Sequence, residues 1–134
     1  MDNVVFVEFD EVLAIHQDQL KRHGGQDGFI DEGVVRAAIS RPRFTAQYND
    51  EADLADLAAD YMFGISTTQG FLDGNKRTGL ACCAVFLRRN GWKLNLSDQL
   101  MYIVAMAVAK NEIDRDALAE ILRTHMTELS DDSE

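Results

Sequence analysis

The sequence has one proline and two cysteines in 134 residues, and no long uninterrupted apolar run. Cys82 and Cys83 are adjacent, and neighbouring cysteines rarely reach disulfide geometry, so we interpret both as buried hydrophobic residues. No window supplies the roughly 18 apolar residues that suggest a membrane span, and the N-terminus has no signal-peptide pattern. These absences predict a cytoplasmic protein without a membrane segment or a disulfide scaffold.

Basic side chains are scarce as well: 13 Lys and Arg stand against 23 Asp and Glu, a formal net charge of −10. This imbalance argues against non-specific binding to nucleic acids or anionic membranes. The middle of the chain differs, because residues 41–93 hold seven basic and six acidic side chains. We therefore expect any bound anion to lie there. The length predicts a single domain over residues 1–129, followed by a disordered acidic tail at 130–134.

Apolar residues recur at helical spacing along most of the chain, which predicts an all-α, compact helical bundle. Pro42 should end the second helix and leave residues 43–51 as a loop that could cover a site. The run TGLACCAVFL is apolar on nearly every face, so it should be the buried central helix of the bundle. Residues 92–96 alternate and predict a short extended segment. Caps and periodicity predict five other helices, at 10–23, 31–40, 52–68, 97–110 and from Asp114 onward.

The segment QGFLDGNKRTG, residues 69–79, interrupts this pattern immediately before the buried helix. The unpaired N–H groups and the positive dipole end at a helix start attract anions, and phosphate is the natural guest. Gly74 would let the backbone approach it, Asn75 could donate from its amide, and Lys76 and Arg77 could neutralise its oxygens.

Asp73 in the same segment would then be a ligand of Mg²⁺ that arrives with a nucleotide. The alternative is an ordinary helix start, in which Asp73 or Asn75 caps the helix and the two cations lie on a solvated face. The residues alone leave these two interpretations open.

The sequence resembles the death-on-curing (Doc) branch of the Fic/Doc family over nearly its whole length. The match includes LAIH and GGQDG near the N-terminus, FxDGNKRT at residues 71–78, FLRRNGW after the buried helix, and NEIDRDALAEIL. The family implies a small all-α bundle that transfers part of a nucleotide to a protein hydroxyl: AMP in the Fic branch, a phosphoryl group in the Doc branch. Lys76 and Leu80 stand where AMP-transferring members carry Gly and Arg, which favours a Doc-type kinase over an AMP-transferase.

The resemblance implies a role for each matching position. Asp73 would bind Mg²⁺, Phe71 would anchor the motif, and phosphate groups of ATP would contact Gly74, Asn75, Lys76, Arg77 and Thr78. The family's general base, a histidine two residues before the Phe, is replaced by Gln69. An amide cannot accept the proton of a hydroxyl, so we expect transfer to be impaired by roughly 10²- to 10⁴-fold.

Gly70 and His16 also bear on the site. Gly70 replaces the frequent Pro or aliphatic residue of the family and should loosen the loop. His16 lies on the core-facing side of the first helix, and we interpret it as a hydrogen-bonded packing residue and not as a substitute base.

The resemblance also implies partners: an antitoxin that docks as a helix in a groove, and a target in the translation machinery, elongation factor Tu. Other members carry an inhibitory helix of the form [S/T]xxxE[G/N]; Thr124 and Glu128 fit it but Leu129 does not, so control in trans is favoured. Two main functions remain. One is a toxin scaffold that binds ATP and Mg²⁺ and phosphorylates a protein, and the other is a non-catalytic member that binds nucleotide and antitoxin.

Overall fold

A computed structural model describes Met1 and residues 3–130 of the chain. Within this part, two short strands pair antiparallel and six helices form the bundle, which confirms the predicted fold class. The helices are α1 Phe9–His23, α2 Glu32–Tyr48, α3 Leu54–Thr68, α4 Asn75–Arg89, α5 Asp98–Ala109 and α6 Arg115–His125, and the strands are β1 Trp92–Leu94 and β2 Met126–Glu128.

Two predictions concern the chain as a whole. The acidic tail predicted at 130–134 lies outside the described residues from 131 onward. In the part that the structure describes, each helix is too short or too polar to cross a bilayer.

The helix ends follow the capping signals in the sequence. α1 ends at Gly24, which has a φ of 82° and donates its N–H to the Leu20 carbonyl at 2.7 Å. Such a backbone conformation suits glycine. Four N-cap side chains accept a backbone N–H from three residues further on, and they are Asp31, Asp53, Ser97 and Asp114. These local interactions fix the predicted helices within about two residues at most ends.

α2 departs from the prediction, because it continues through Pro42 instead of ending there. A proline in a helix interior removes one hydrogen bond and costs about 3 kcal/mol. Contacts made by the next turn offset that cost: Pro42 itself is buried, and the Arg43 guanidinium pairs with Glu8 and lies 4.4 Å from the centre of the Phe6 ring. The loop predicted at 43–51 is therefore wrong over most of its length.

α3 is the most deeply buried helix, and it contacts α2, α4, α5 and α6. α4 packs closely on it at Gly79, where a Cβ would lie 2.6 Å from the Ser66 Oγ and 3.0 Å from the Met62 carbonyl. α4 also contacts α1, α5 and β1, which confirms it as the buried central helix of the bundle, although Ala84 is exposed.

The strand pair closes the end of the bundle. β1 confirms the short extended segment predicted after α4, and it pairs with β2 in the register Trp92 to Glu128. β2 was not predicted. Because three residues of the partial inhibitory motif at 124–129 form this strand, that motif is not a helix here.

Candidate functional site

The loop between α3 and α4 has two residues in left-handed backbone conformations. Gln69 ends α3 with φ 52° and ψ 46°, and Gly74 precedes α4 with φ 84° and ψ 15°. Among the described residues, no side chain caps the α4 N-terminus. The first N–H groups of α4 have no intrahelical acceptor, so they remain available to an anion in the loop.

An extended segment before α2 holds the first half of the loop. The Gly70 carbonyl accepts the N–H groups of Ile30 at 2.8 Å and Asp31 at 3.0 Å. A Cβ at Gly70 would lie 2.5 Å from the Val35 Cγ2, so this glycine allows α2 to approach. The prediction that Gly70 loosens the loop is wrong, because its neighbours pack tightly against it.

Phe71 anchors the middle of the loop in the core. Its ring is 1% exposed and lies between two others, with the His16 ring centroid at 3.8 Å and the Phe29 centroid at 5.4 Å. The buried His16 donates from Nε2 to the Asp73 carbonyl at 2.8 Å. The interpretation of His16 as a hydrogen-bonded packing residue is confirmed.

The Asn75 side chain closes the loop on itself. Its Oδ1 accepts the Phe71 N–H at 3.0 Å, and its Nδ2 donates to the Phe71 carbonyl at 2.9 Å. The Asn75 side chain therefore stabilises the conformation of the loop. Its amide is occupied by these two hydrogen bonds, so the group that Asn75 can donate to an anion is its backbone N–H. The sequence indicates the residue but not this pairing.

Replacing Asn75 with Ala should lower the free energy of unfolding by about 1–3 kcal/mol, because the partly buried Phe71 N–H would lose its acceptor. The midpoint of urea unfolding measures this loss. Asn75→Asp is the matched control, since it keeps an acceptor for the N–H and loses only the donor. A loss for Asn75→Asp as large as for Asn75→Ala would contradict the assigned role of the N–H contact.

Asp73 lies at the exposed edge of the loop. Its Oδ2 accepts the Gln26 N–H at 2.7 Å, which fixes the carboxylate beside the α4 N-terminus. Across the described residues, no three His, Cys, Asp or Glu side chains cluster in a way that could hold a metal ion. A single carboxylate fits Mg²⁺ that keeps waters and shares phosphate oxygens.

The two cations at the start of α4 lie in different environments. Lys76 is partly buried and makes no ion pair with any described residue. Arg77 is held from both sides, because its guanidinium lies 4.3 Å from the centre of the Tyr102 ring and its Nη1 donates to the His23 Nε2 at 3.2 Å. Neither His23 nor Tyr102 was predicted, and no motif in the sequence marks them.

Thr78 is not brought to the surface of the loop. Its side chain is fully buried, its N–H donates to the Gly74 carbonyl at 2.9 Å, and its hydroxyl has no hydrogen-bond partner among the described residues. The structure thus gathers Asp73, Gly74 and the first turn of α4 at one place and turns the Thr78 hydroxyl into the core.

The two thiols, Cys82 and Cys83 on α4, are both buried in the core. Burial raises the pKa of Cys83 to about 12, and it raises the pKa of Cys82 strongly as well. A thiol held neutral at physiological pH is a poor nucleophile. The interpretation of both cysteines as buried hydrophobic residues is confirmed.

A cavity of about 750 Å³ lies between α2, α3 and the start of α6, and Thr68 at the end of α3 is among the residues that line it. Phe44, Tyr48 and Phe63 line it together with Asp60 and Arg115. Sequence reasoning missed it because the residues that form one wall were assigned to a loop. None of the predicted phosphate or metal positions lines this cavity.

Comparisons with known proteins agree with the motif. The sequence model of the Fic/DOC family matches residues 6–87. Protein kinase doc of Escherichia phage P1 is 34% identical over 114 residues, which cover 85% of this chain and 90% of that protein. Toxin Doc of Mycolicibacterium smegmatis is 32% identical over 103 residues, which cover 72% of this chain and 76% of that protein. The similarity therefore extends over most of the chain and includes the loop.

Proposed function

This chain belongs to the Fic/DOC family, and we propose that it is a Doc-type toxin scaffold that binds ATP with Mg²⁺ and transfers a phosphoryl group to a protein hydroxyl. The observation that carries this proposal is the uncapped N-terminus of α4, which follows the left-handed Gly74 and bears Lys76 and Arg77. A basic pair at a positive helix end opposes the helix dipole, and a bound phosphate would remove that conflict.

The backbone of this chain would supply the first contacts to phosphate. The N–H groups at the start of α4 point into the loop, and the left-handed Gly74 leaves no side chain between them and a ligand. A Cβ at Gly74 would lie 3.3 Å from the Leu20 Cδ2 and 3.5 Å from the His16 Nε2, so the space is already narrow. Lys76, which has no described ion-pair partner, and Arg77 would neutralise the phosphate oxygens.

Asp73 would hold the metal ion that accompanies the nucleotide. Mg²⁺ would screen the phosphate charges when bound. The Gln26 N–H keeps the carboxylate in place at the loop edge before any ligand arrives. This preorganisation reduces the entropy cost of binding.

Gln69 would limit the rate of phosphoryl transfer. The γ-phosphoryl group would pass from ATP to the target hydroxyl oxygen, ADP would leave, and the hydroxyl proton would go to solvent because an amide cannot accept it. We therefore propose slow transfer by this chain, with elongation factor Tu as the target and an antitoxin as the partner that restrains it.

The same residue favours a second candidate function. Because Gln69 lacks a titratable group, the chain could bind nucleotide and antitoxin without transferring anything. Nucleotide binding is common to both functions, whereas phosphoprotein formation belongs only to the first.

Replacing Arg77 with Ala should weaken ATP·Mg²⁺ binding roughly ten- to a hundredfold, since a charge-assisted contact contributes about 1.5–3 kcal/mol. Calorimetric titration of the purified chain measures this change. Arg41→Ala is the control, because Arg41 is an exposed arginine on α2, outside the loop. Equal affinity for wild type and Arg77→Ala would identify the motif as an ordinary helix start.

Asp73→Asn in the same titration tests the metal ligand. It keeps an oxygen for the Gln26 N–H and removes the charge, so ATP binding should become nearly independent of Mg²⁺ while the loop stays folded. An unchanged Mg²⁺ dependence would contradict the role proposed for Asp73.

A further inference from the structure

The contact between His23 and Arg77 defines the protonation state of the histidine. His23 is the last residue of α1, and its Nε2 lies 3.2 Å from the Nη1 of Arg77 in the first turn of α4. A guanidinium has only N–H donors, so the histidine nitrogen must be the acceptor in this pair. His23 is therefore neutral in this arrangement, with its proton on Nδ1.

His23 also borders the loop that carries the proposed phosphate site. Three residues after it, the Gln26 N–H donates to the Asp73 carboxylate at 2.7 Å, and a Cβ at Gly25 would lie 3.0 Å from the Asp73 Cβ. The end of α1 and the turn that follows thus pack directly against the residues before α4. The His23 side chain is exposed, so a ligand can reach it.

The charged and titratable groups around His23 come from α1, α4, β1 and α5. Together with His23 they line a cavity of about 450 Å³, and they are Arg22, Arg77, Arg88, Lys93, Asp98 and Tyr102. Arg22 is paired with Asp18, so Asp98 is the one acid among the described lining residues. A second positive charge next to Arg77 therefore needs an anion to compensate it.

We propose that His23 is a further ligand of the bound phosphate, and that it takes up a proton from solvent when the nucleotide binds. This inference rests on the proposed function, in which Arg77 contacts phosphate. A phosphate oxygen is an acceptor, so the lone pair of a neutral Nε2 would repel it. Once protonated, Nε2 becomes a second charge-assisted donor beside Arg77, and the phosphate supplies the acceptor that the guanidinium loses.

The direction of the pH dependence follows from this proton uptake. Because the complex holds more protons than the separate chain and nucleotide, ATP should bind more tightly at low pH, and the gain is lost as the pH rises. Histidine is the side chain that changes charge between pH 5 and 8, so the effect falls in a range where binding can be measured. It is an effect on affinity and not on the rate of transfer at saturating ATP.

His23→Gln is the variant that tests the proton. Its side-chain oxygen can still accept from Arg77, but an amide does not titrate near neutral pH. Calorimetric titration with ATP·Mg²⁺ at pH 6.0 and pH 8.0 gives the ratio of the Kd values of variant and wild type, in which the titration of ATP itself cancels. We expect the variant to bind about fivefold more weakly than wild type, or worse, at pH 6.0 and within about twofold of it at pH 8.0.

Proton uptake can be measured directly by the same method. Titrations at pH 7.0 in two buffers of different ionisation enthalpy give the number of protons bound per nucleotide, which should be larger for wild type than for His23→Gln by about 0.3 or more. His125→Gln is the control, because the His125 Nδ1 contacts the Ile121 carbonyl at 2.8 Å on α6 and the residue does not line the cavity. It should retain the pH dependence and the proton uptake of wild type.

The results distinguish a failure of this inference from a failure of the proposed function. Equal pH dependence and equal proton uptake in wild type and His23→Gln would overturn the inference and leave the proposed function standing. A His23→Gln variant that is weakened equally at pH 6.0 and pH 8.0 would mean that His23 only positions Arg77, which also overturns the inference. If wild type binds no ATP at either pH, both the inference and the proposed function fail.

Discussion

Replacing Gln69 with histidine is expected to raise phosphoryl transfer by roughly 10²- to 10⁴-fold, the usual contribution of a positioned general base. The gain should appear in the rate of transfer, with little change in ATP affinity. The reason is that the proposed phosphate contacts come from the α4 N-terminus, Lys76 and Arg77, and none of them depends on a titrating group at position 69.

The backbone at position 69 is well suited to histidine. Gln69 has φ 52° and ψ 46°, a left-handed conformation in which His is several-fold enriched among non-glycine residues. Its side chain is exposed and has no hydrogen bond or ion pair with the described residues. The substitution should therefore leave the fold unchanged.

The pH dependence distinguishes a base from a structural effect. A histidine must be neutral to accept the hydroxyl proton, so the rate of Gln69→His should rise with pH through about 6.5 and level off above it. Wild type and Gln69→Asn should lack this step. Mass spectrometry of elongation factor Tu after incubation with ATP and Mg²⁺ gives the phosphoprotein fraction at each pH.

The structure excludes one explanation for a failure of Gln69→His to transfer phosphate. Gly70 is held by two hydrogen bonds to its carbonyl and packs against Val35, so a loose loop does not explain failure. If Gln69→His binds ATP and still forms no phosphoprotein, the transfer proposal fails and the non-catalytic function takes its place.

Local signals in the sequence predict much of this fold. The caps at Ser97 and Asp114 act within three residues, so they are visible without knowledge of the rest of the chain. α3 is equally clear, since its apolar residues follow the helical period over three turns. Each of these elements can be predicted because the residues that determine it lie within one short stretch of the sequence.

The departures have causes distant in the sequence. α2 passes Pro42 because contacts from Arg43 to Phe6 and Glu8 support the turn that follows. β2 exists because its backbone pairs with β1, more than thirty residues earlier. No local sequence pattern indicates such contacts. Prediction from residue propensity therefore fails where tertiary contacts determine the secondary structure.

In the candidate site, too, some features can be predicted from local sequence and others depend on tertiary contacts. The motif places Asp73 and Gly74 before a helix N-terminus, and the structure has them there. The partners of Asn75 and the burial of Thr78 depend on how α4 sits against α3, which sequence spacing does not specify. The residue types of a site are therefore easier to predict than the direction in which each side chain points.

Arg115 is expected to have the largest effect on stability among the ion-paired residues. It begins α6 and donates from Nε to the Asp60 Oδ1 at 2.9 Å and from Nη1 to the Asp56 Oδ1 at 3.0 Å. Asp60 is only 4% exposed, and its Oδ2 has no hydrogen-bond partner among the described residues. The carboxylate on α3 thus depends on one guanidinium from α6.

Replacing Arg115 with Ala should lower the free energy of unfolding by about 3–5 kcal/mol, because it leaves a buried charge uncompensated. Urea unfolding at pH 7 measures the loss. Arg123→Ala is the control on the same helix: its closest partner on this side is the half-exposed Asp53 at the N-cap of α3, and its longer contact to Asp56, at 3.3 Å, leaves that carboxylate still paired with Arg115. Exposed ion pairs contribute about 0–1 kcal/mol, so this variant should lose far less.

A double variant tests the cause of the effect. If the cost of Arg115→Ala comes from the unpaired charge of Asp60, then Arg115→Ala combined with Asp60→Ala should be more stable than Arg115→Ala alone, although two side chains are missing. If the double variant is instead less stable, packing of the Arg115 side chain between α3 and α6 dominates. Equal losses for Arg115→Ala and Arg123→Ala would mean that Asp60 is solvated well enough to need no partner, which contradicts its burial.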